Sequence, residues 1–369
     1  MDRSAKVGTW IIATGVILAI LYLGRDILAT FAMAVFLFLI IEGFATAIDN
    51  LSKTINLRIA RLIAVLLVTG GFVGFIALMA NGVGEFGRHA EDYEAKINHL
   101  ISDAYSVFGM SDSPTLTQLL FNERGEQLFA TIANSVSGLS GDLMLILIYV
   151  AFLFSAQSGW THKLDNIFPV PERRDQVRTI GNDARVGIER YLWVQTLISA
   201  LITLLSYASL LALGVQNALF LSALIFVLNY IPTVGSIAAA LVPPLFALVQ
   251  PGVPGWVPGD APQDSYVYSA IVFGFVSFWQ FSIGNFIQPR MMGDSLNLSA
   301  LVVLLALAIW GVIWGIPGMF LSAPLTVLMV ILFAQSDSTR WIAILLSADG
   351  NPKGKSVQPA EGATAGSTV

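Results

Sequence analysis

No cysteine occurs in the chain, which excludes disulfides, thiolate metal sites and cysteine-ligated iron–sulfur clusters. Charge is almost as scarce: only 12% of the 369 residues are Asp, Glu, Lys or Arg. Histidine is limited to His89, His99 and His162, and none of them lies in an apolar run. Imidazole acid–base chemistry inside an apolar segment is therefore excluded. There is no phosphate-binding Gly-x-x-x-x-Gly-Lys-Ser/Thr sequence, no His-Glu-x-x-His and no glycine-rich dinucleotide turn. An ATP-driven pump, a metalloprotease and a nicotinamide enzyme all lack their residues, and nothing calls for a cofactor or a metal.

What is present is apolar surface, since 56% of the residues are hydrophobic. A soluble core of this size does not absorb so much, so lipid is the expected solvent. No charge falls between Arg190 and Asp260, nor between Asp294 and Asp337. Because one charge at mid-bilayer costs about 2.5–3.5 kcal/mol on insertion scales, such runs indicate sustained immersion. Apolar segments lie at 7–23, 27–48, 62–80, 142–156, 191–213, 218–231, 236–249, 267–287, 299–316 and 318–335. Several, notably 218–231 and 236–249, are shorter than the roughly 20 residues that a span requires, which suggests hairpins that enter and leave on one side. The expected fold is all-α and polytopic, with about eight transmembrane helices plus broken or re-entrant helical hairpins. Its expected divisions are N-terminal spans over 1–80, an extracytoplasmic amphipathic helical segment over 81–141, a transport core over 142–348 with a linker at 157–190, and a disordered tail over 349–369.

Basic residues orient the chain, because translocating Lys and Arg is disfavoured. Lys53, Arg58 and Arg61 fill one loop; Lys163, Arg173, Arg174, Arg178, Arg185 and Arg190 fill another. Both are expected in the cytoplasm, as are both termini. The acidic segment between them faces outward. In it Phe86, Tyr93, Ile97, Leu100, Ile101, Ala104 and Phe108 recur at helical spacing, predicting an amphipathic helix. A cytoplasmic helix is expected to open at Pro171, where proline suits the first helical turn.

Two places break an otherwise helical pattern. In Asn229-Tyr230-Ile231-Pro232-Thr233-Val234-Gly235, Pro232 removes a backbone donor, Gly235 permits positive φ, and Asn229 offers an amide to freed backbone groups. Half-helix ends of this kind present partial charges to polar solutes in transporters; a plain turn between spans is the competing reading. The second break gathers Gln280, Asn285, Gln288 and Pro289 before Arg290. Amides there are costly in lipid unless they bond across helices or line a wet cavity. Glu42 is a carboxylate within an apolar run, so proton or cation coupling is one reading; its closeness to Asp49 and the basic loop favours another, an interfacial position. Gly311, Gly315 and Gly318 read as close helix packing. Gly138-Leu139-Ser140-Gly141 resembles the nucleophile stretch of rhomboid-like serine proteases, yet no histidine is placed to serve the serine.

The two breaks together resemble the autoinducer-2 exporter family of bacterial membrane proteins. The resemblance rests on Asn229-Tyr230-Ile231-Pro232 with Gly235, Asn285 with Pro289-Arg290 and Gly293, Leu296 to Ser299, Ser322-Ala323-Pro324-Leu325-Thr326, and Thr339-Arg340-Trp341 with Leu345-Leu346. It implies a multi-span transporter of the inner membrane, a homo-oligomer taken to be a pentamer, and export of small organic or signalling molecules. Membrane lipid and a small-molecule solute or ion are the implied partners. Some relatives are described as sodium/proton antiporters. This chain departs from the pattern with Ile283 and Gln288 where many members carry a carboxylate, and with Ala300 where proline is common. A neutral amide does not exchange protons at physiological pH. An antiporter dependent on Glu42, a channel-like pore and a non-transporting scaffold stay open beside export.

Overall fold

A computed structural model describes residues 3–51, 56–88, 90–107, 143–157, 159–257, 262–292 and 297–352, with 109, 114, 115, 117 and 118 besides. Most of 116–136, the Gly138–Gly141 stretch, Gly293 with Leu296, and 353–369 lie outside the described residues, and so do the expectations placed on them.

The helices follow the apolar segments. In chain order they are α1 (Arg3–Leu23), α2 (Arg25–Leu51), α3 (Leu57–Arg88), α4 (Ala90–Val107), α5 (Leu143–Gln157), α6 (Trp160–Ile167), α7 (Pro171–Leu213), α8 (Ala218–Leu228), α9 (Val234–Val249) and α10 (Pro262–Ser282). A π-helical turn, Ile283–Ile287, then leads into α11 (Gln288–Met292), α12 (Ala300–Ala334) and α13 (Arg340–Leu346). Among the described residues, five helices are long and apolar enough to cross a membrane: α2, α3, α7, the run through α10 and α11, and α12. The chain is an all-α, polytopic membrane protein.

Helix length locates the breaks. At 1.5 Å per residue the 11 residues of α8 reach about 16 Å and the 16 of α9 about 24 Å, each short of roughly 30 Å of hydrocarbon. The 35 residues of α12 appear continuous, but Gly315 has φ 65° and ψ −140°, which no helix contains. A Cβ on Gly318 would lie 2.0 Å from the Trp310 carbonyl oxygen. Residues eight apart in a straight helix are separated by about 12 Å, so the chain reverses at Gly315 and α12 is a helical hairpin. The opposite case is α7, whose 43 residues extend about 65 Å, twice the hydrocarbon thickness. Its charged half, from Pro171 to Arg190, therefore extends out of the bilayer, with Pro171 at its first position as expected.

The described chain packs as two units. The first comprises Met1–Gly43, Leu153–Val194 and Pro289–Val369. Its core sets Phe36 and Leu39 of α2 and Tyr191 and Leu192 of α7 with Trp310, Trp314 and Leu321 of the α12 hairpin. The indole Nε1 of Trp314 donates to the Leu21 carbonyl at 3.1 Å. The second comprises Phe44–Phe152 and Gln195–Gln288. There α3 meets α8 where the Phe220 ring covers Gly82, leaving no room for a Cβ. Between lipid-solvated helices such small-residue contacts replace the hydrophobic driving force as the source of packing. Proline at 243 and 244 interrupts the α9 ladder, and Ser269 of α10 donates to the Pro244 carbonyl at 2.7 Å.

Of the amphipathic stripe expected over 86–108, Phe86 lies on α3 and Phe108 lies outside the described residues, while residues 90–107 form α4. Tyr93 is its anchor: the side chain is buried, its ring lies 5.6 Å from that of Phe246, and its hydroxyl donates to Gln216 Oε1 at 3.4 Å. Burial pushes the Tyr93 phenol up from its ordinary 10.0, and the Glu85 and Asp92 carboxylates push it further.

Candidate functional site

The tip between α8 and α9 is where the sequence stops a helix and restarts it within five residues. Helical bonding tightens before it ends, with Tyr230 N–H donating to the Val227 carbonyl and Ile231 N–H to Leu228. Pro232 has no N–H, and its carbonyl accepts from Val234 N–H at 2.6 Å. Thr233 sits at the centre of this γ-turn with φ 60° and ψ −60°. A β-branched residue at positive φ is strained, and such strain gathers where surrounding structure over-determines the backbone for function. Gly235 closes the tip: a Cβ there would stand 1.7 Å from the Leu228 carbonyl oxygen.

Around this tip the second unit collects three amides. Gln195 Nε2 of α7 donates to the Asn229 backbone carbonyl at 2.6 Å, and Gln280 Nε2 of α10 donates to Asn229 Oδ1 at 3.0 Å. Asn229 is 8% exposed. Both its acceptors are thus engaged, while its Nδ2, also buried, has no hydrogen-bond partner among the described residues. Buried polar atoms are nearly always paired, so this donor is an exception that calls for a partner. Beside it the Tyr230 and Thr196 hydroxyls pair at 2.7 Å, with Tyr230 also packed edge-on to Phe226.

The structure divides the residues singled out by sequence. Asn229, Tyr230 and Gln280 come together, with Pro232 and Gly235 shaping the backbone beneath them. Asn285 does not join them. It is exposed, and its Nδ2 donates at 2.9 Å to the Phe281 carbonyl on its own helix. The second break is the π turn Ile283–Ile287, a register slip that ends where Gln288 and Pro289 begin α11. Gln195 and Thr196 are members of this cluster that the sequence reading does not single out. The available signal was an isolated amide in the otherwise apolar stretch after Arg190.

Glu42 belongs to the first unit. It is 2% exposed, and Arg185 Nη2 of α7 approaches Glu42 Oε2 at 3.8 Å. The same guanidinium donates from Nε to Glu189 Oε1 at 2.6 Å.

Comparison with known proteins agrees with this architecture. The chain matches the AI-2E family transporter profile over residues 11–337. It is 26% identical to YhhT of Escherichia coli (strain K12) over 346 residues, covering 92% of this chain and 93% of that protein. It is 27% identical over 342 residues to the AI-2 transport protein TqsA of the same strain, with 90% and 92% covered. YueF of Bacillus subtilis is 23% identical over 349 residues, 87% and 90% of the two chains. A polytopic helical chain with a broken hairpin, matched to one family along nearly its whole length, belongs to the AI-2E family of membrane transporters.

Proposed function

We propose that the protein exports a small organic or signalling solute across the bacterial inner membrane, contacting it at the amide cluster around Asn229. The observation that carries this reading is the buried, unpartnered Nδ2 of Asn229 at a helix interruption. Interrupted helices are tolerated at membrane depth where they are buried in protein or line a water-filled cavity, and a buried donor with no partner among the described residues supports the second case, because it has a hydrogen bond to give to the solute. Gln195 and Gln280 hold the Asn229 amide in place from two other helices, so its position does not depend on the solute. The basic loops support a topology with both termini in the cytoplasm, and the homo-oligomer is taken to be a pentamer. The name of TqsA makes autoinducer-2 the first solute to assay.

A second reading, cation/proton antiport, has Glu42 as its observation: a buried carboxylate in an apolar helix. The guanidinium of Arg185 at 3.8 Å favours a structural ion pair instead. Proteoliposomes containing the purified protein separate the readings. Saturable release of loaded autoinducer-2, absent from protein-free vesicles and retained in Glu42→Gln, supports export. Proton movement triggered by a sodium, potassium or lithium pulse and lost in Glu42→Gln supports antiport. Non-saturating release indicates a pore, and no flux of any solute indicates a scaffold.

A further inference from the structure

One face of α7 carries a polar residue at nearly every turn beyond the amide cluster: Gln195, Ser199, Thr203, Ser206 and Ser209 follow at steps of three or four residues. Ser199 and Ser206 are fully buried. A serine or threonine in an apolar helix normally satisfies its hydroxyl on the carbonyl four residues back. Ser209 does so with Leu205 at 2.9 Å, and Ser222 of α8 with Ala218 at 2.6 Å. Thr203 and Ser206 do not: both hydroxyl oxygens are buried and without a partner among the described residues. The two stand on adjacent turns of one stripe; Ser265 and Ser277 of α10 are likewise buried without a partner among the described residues, and a mainly apolar cavity of about 330 Å³ beside Thr203 is lined also by Leu204, Tyr207, Ser222 and Phe226. At one end of the stripe Gln195 Nε2 lies 3.5 Å from the Ser199 hydroxyl and 2.6 Å from the Asn229 carbonyl. Toward the other end, the indole of Trp279 donates to Ser209 at 2.9 Å.

We propose that this α7 stripe, from Ser199 through Thr203 and Ser206 to Ser209, lines a water-accessible route for uncharged polar solutes between the Asn229 cluster and the extracytoplasmic surface. This rests on the transport reading and adds the route and the chemical class to it. A hydroxyl both donates and accepts, so successive hydroxyls exchange hydrogen bonds with water, carbonyl, ether or alcohol groups without a net charge. No Asp, Glu, Lys or Arg occurs on α7 after Arg190, on α8 or on α9, so a cation or anion entering this route would be stripped of water with no counter-charge. The two unpartnered hydroxyls are the counterpart along the route of the unpartnered Asn229 amide at its inner end.

The absence of native cysteine makes the test direct. Single variants Ser199→Cys, Thr203→Cys, Ser206→Cys and, as a control exposed on another face of α7 outside the cavity lining, Leu197→Cys are reconstituted as full-length protein. Neutral 2-hydroxyethyl methanethiosulfonate is added outside, and modification is followed by intact mass. Because the reagent attacks thiolate, and thiolate forms poorly in hydrocarbon, Thr203→Cys and Ser206→Cys are expected to react on the order of a hundredfold faster than Leu197→Cys. A cationic trimethylammonium reagent of the same class should lose most of that advantage. Ladder cysteines that react no faster than Leu197→Cys overturn the proposal, and ladder cysteines that react equally well with the cationic reagent overturn its restriction to uncharged solutes. If Ser206→Cys fails to fold, Thr203→Cys and Ser199→Cys carry the same comparison. Labelling with no solute flux would fault the transport reading and leave the hydrated route standing; flux with silent ladder cysteines would do the reverse.

Discussion

At the residue scale, the tip at Asn229 is set by steric exclusion as much as by hydrogen bonding. Gly235 is there because the Leu228 carbonyl occupies the place of any side chain. Gly235→Ala should therefore cost about 3 kcal/mol or more, at the upper end of overpacking effects, and disrupt the hairpin. Gly70, with nothing within 4 Å of its would-be Cβ, is the control. Gly70→Ala should be neutral or gain about 0.5–1 kcal/mol from helix propensity. Thermal unfolding in detergent reads both. Pro232 and Gly235 were legible in the sequence because backbone chemistry is local. The grip on Asn229 was not, since Gln195 lies 34 residues away and Gln280 lies 51 away, and only folding shows that they converge.

At the scale of elements, apolar run lengths located the spans and suggested that 218–249 is a hairpin, which the helix lengths and the Asn229–Thr233 interruption bear out. The glycines at 311, 315 and 318 were read as a packing surface; Gly311 against Met319 and Gly318 against Trp310 do allow close approach, whereas nothing lies within 4 Å of a Cβ at Gly315. The break between the 299–316 and 318–335 segments was legible and is the reversal at Gly315; that this glycine makes it was not, because positive φ at one residue leaves no periodic signal. For α4 the amphipathic stripe was readable, yet its anchor Tyr93 was one apolar position among several. With its phenol pushed above 10.0 by burial and by Glu85 and Asp92, the folded state holds the proton more tightly than the unfolded chain. The stability that Tyr93 contributes is thus complete below about pH 10 and is lost as pH rises through the folded value. Hydrogen exchange over α4 should accelerate above about pH 10 beyond the intrinsic rate, and Tyr93→Phe should remove that excess.

At the scale of the whole molecule, composition alone indicated a membrane protein, because 12% charge is too little for a soluble chain of this length. Charge placement carries a second message. In the first unit Arg185, about half-exposed, serves both buried Glu42 and Glu189. If that ion pair is structural, Arg185→Ala should destabilise the protein by about 1–2 kcal/mol, a buried-pair loss discounted for the solvent around the guanidinium. Arg185→Lys should recover part of it, both read as shifts in the detergent unfolding midpoint. Glu42→Gln should leave solute efflux intact.

The account stands or falls on the amide cluster of the second unit, where the interrupted hairpin leaves one buried donor unused. The most direct test compares autoinducer-2 efflux from proteoliposomes holding the intact protein, Asn229→Ala or Asn285→Ala, each confirmed folded by size-exclusion profile and unfolding midpoint. Loss of one solute hydrogen bond predicts a drop of about tenfold for Asn229→Ala. Asn285→Ala should change little, because that amide only bonds its own helix. Equal efflux from the intact protein and a folded Asn229→Ala, or a larger loss from Asn285→Ala, would contradict the assignment and move the solute contact to the π turn.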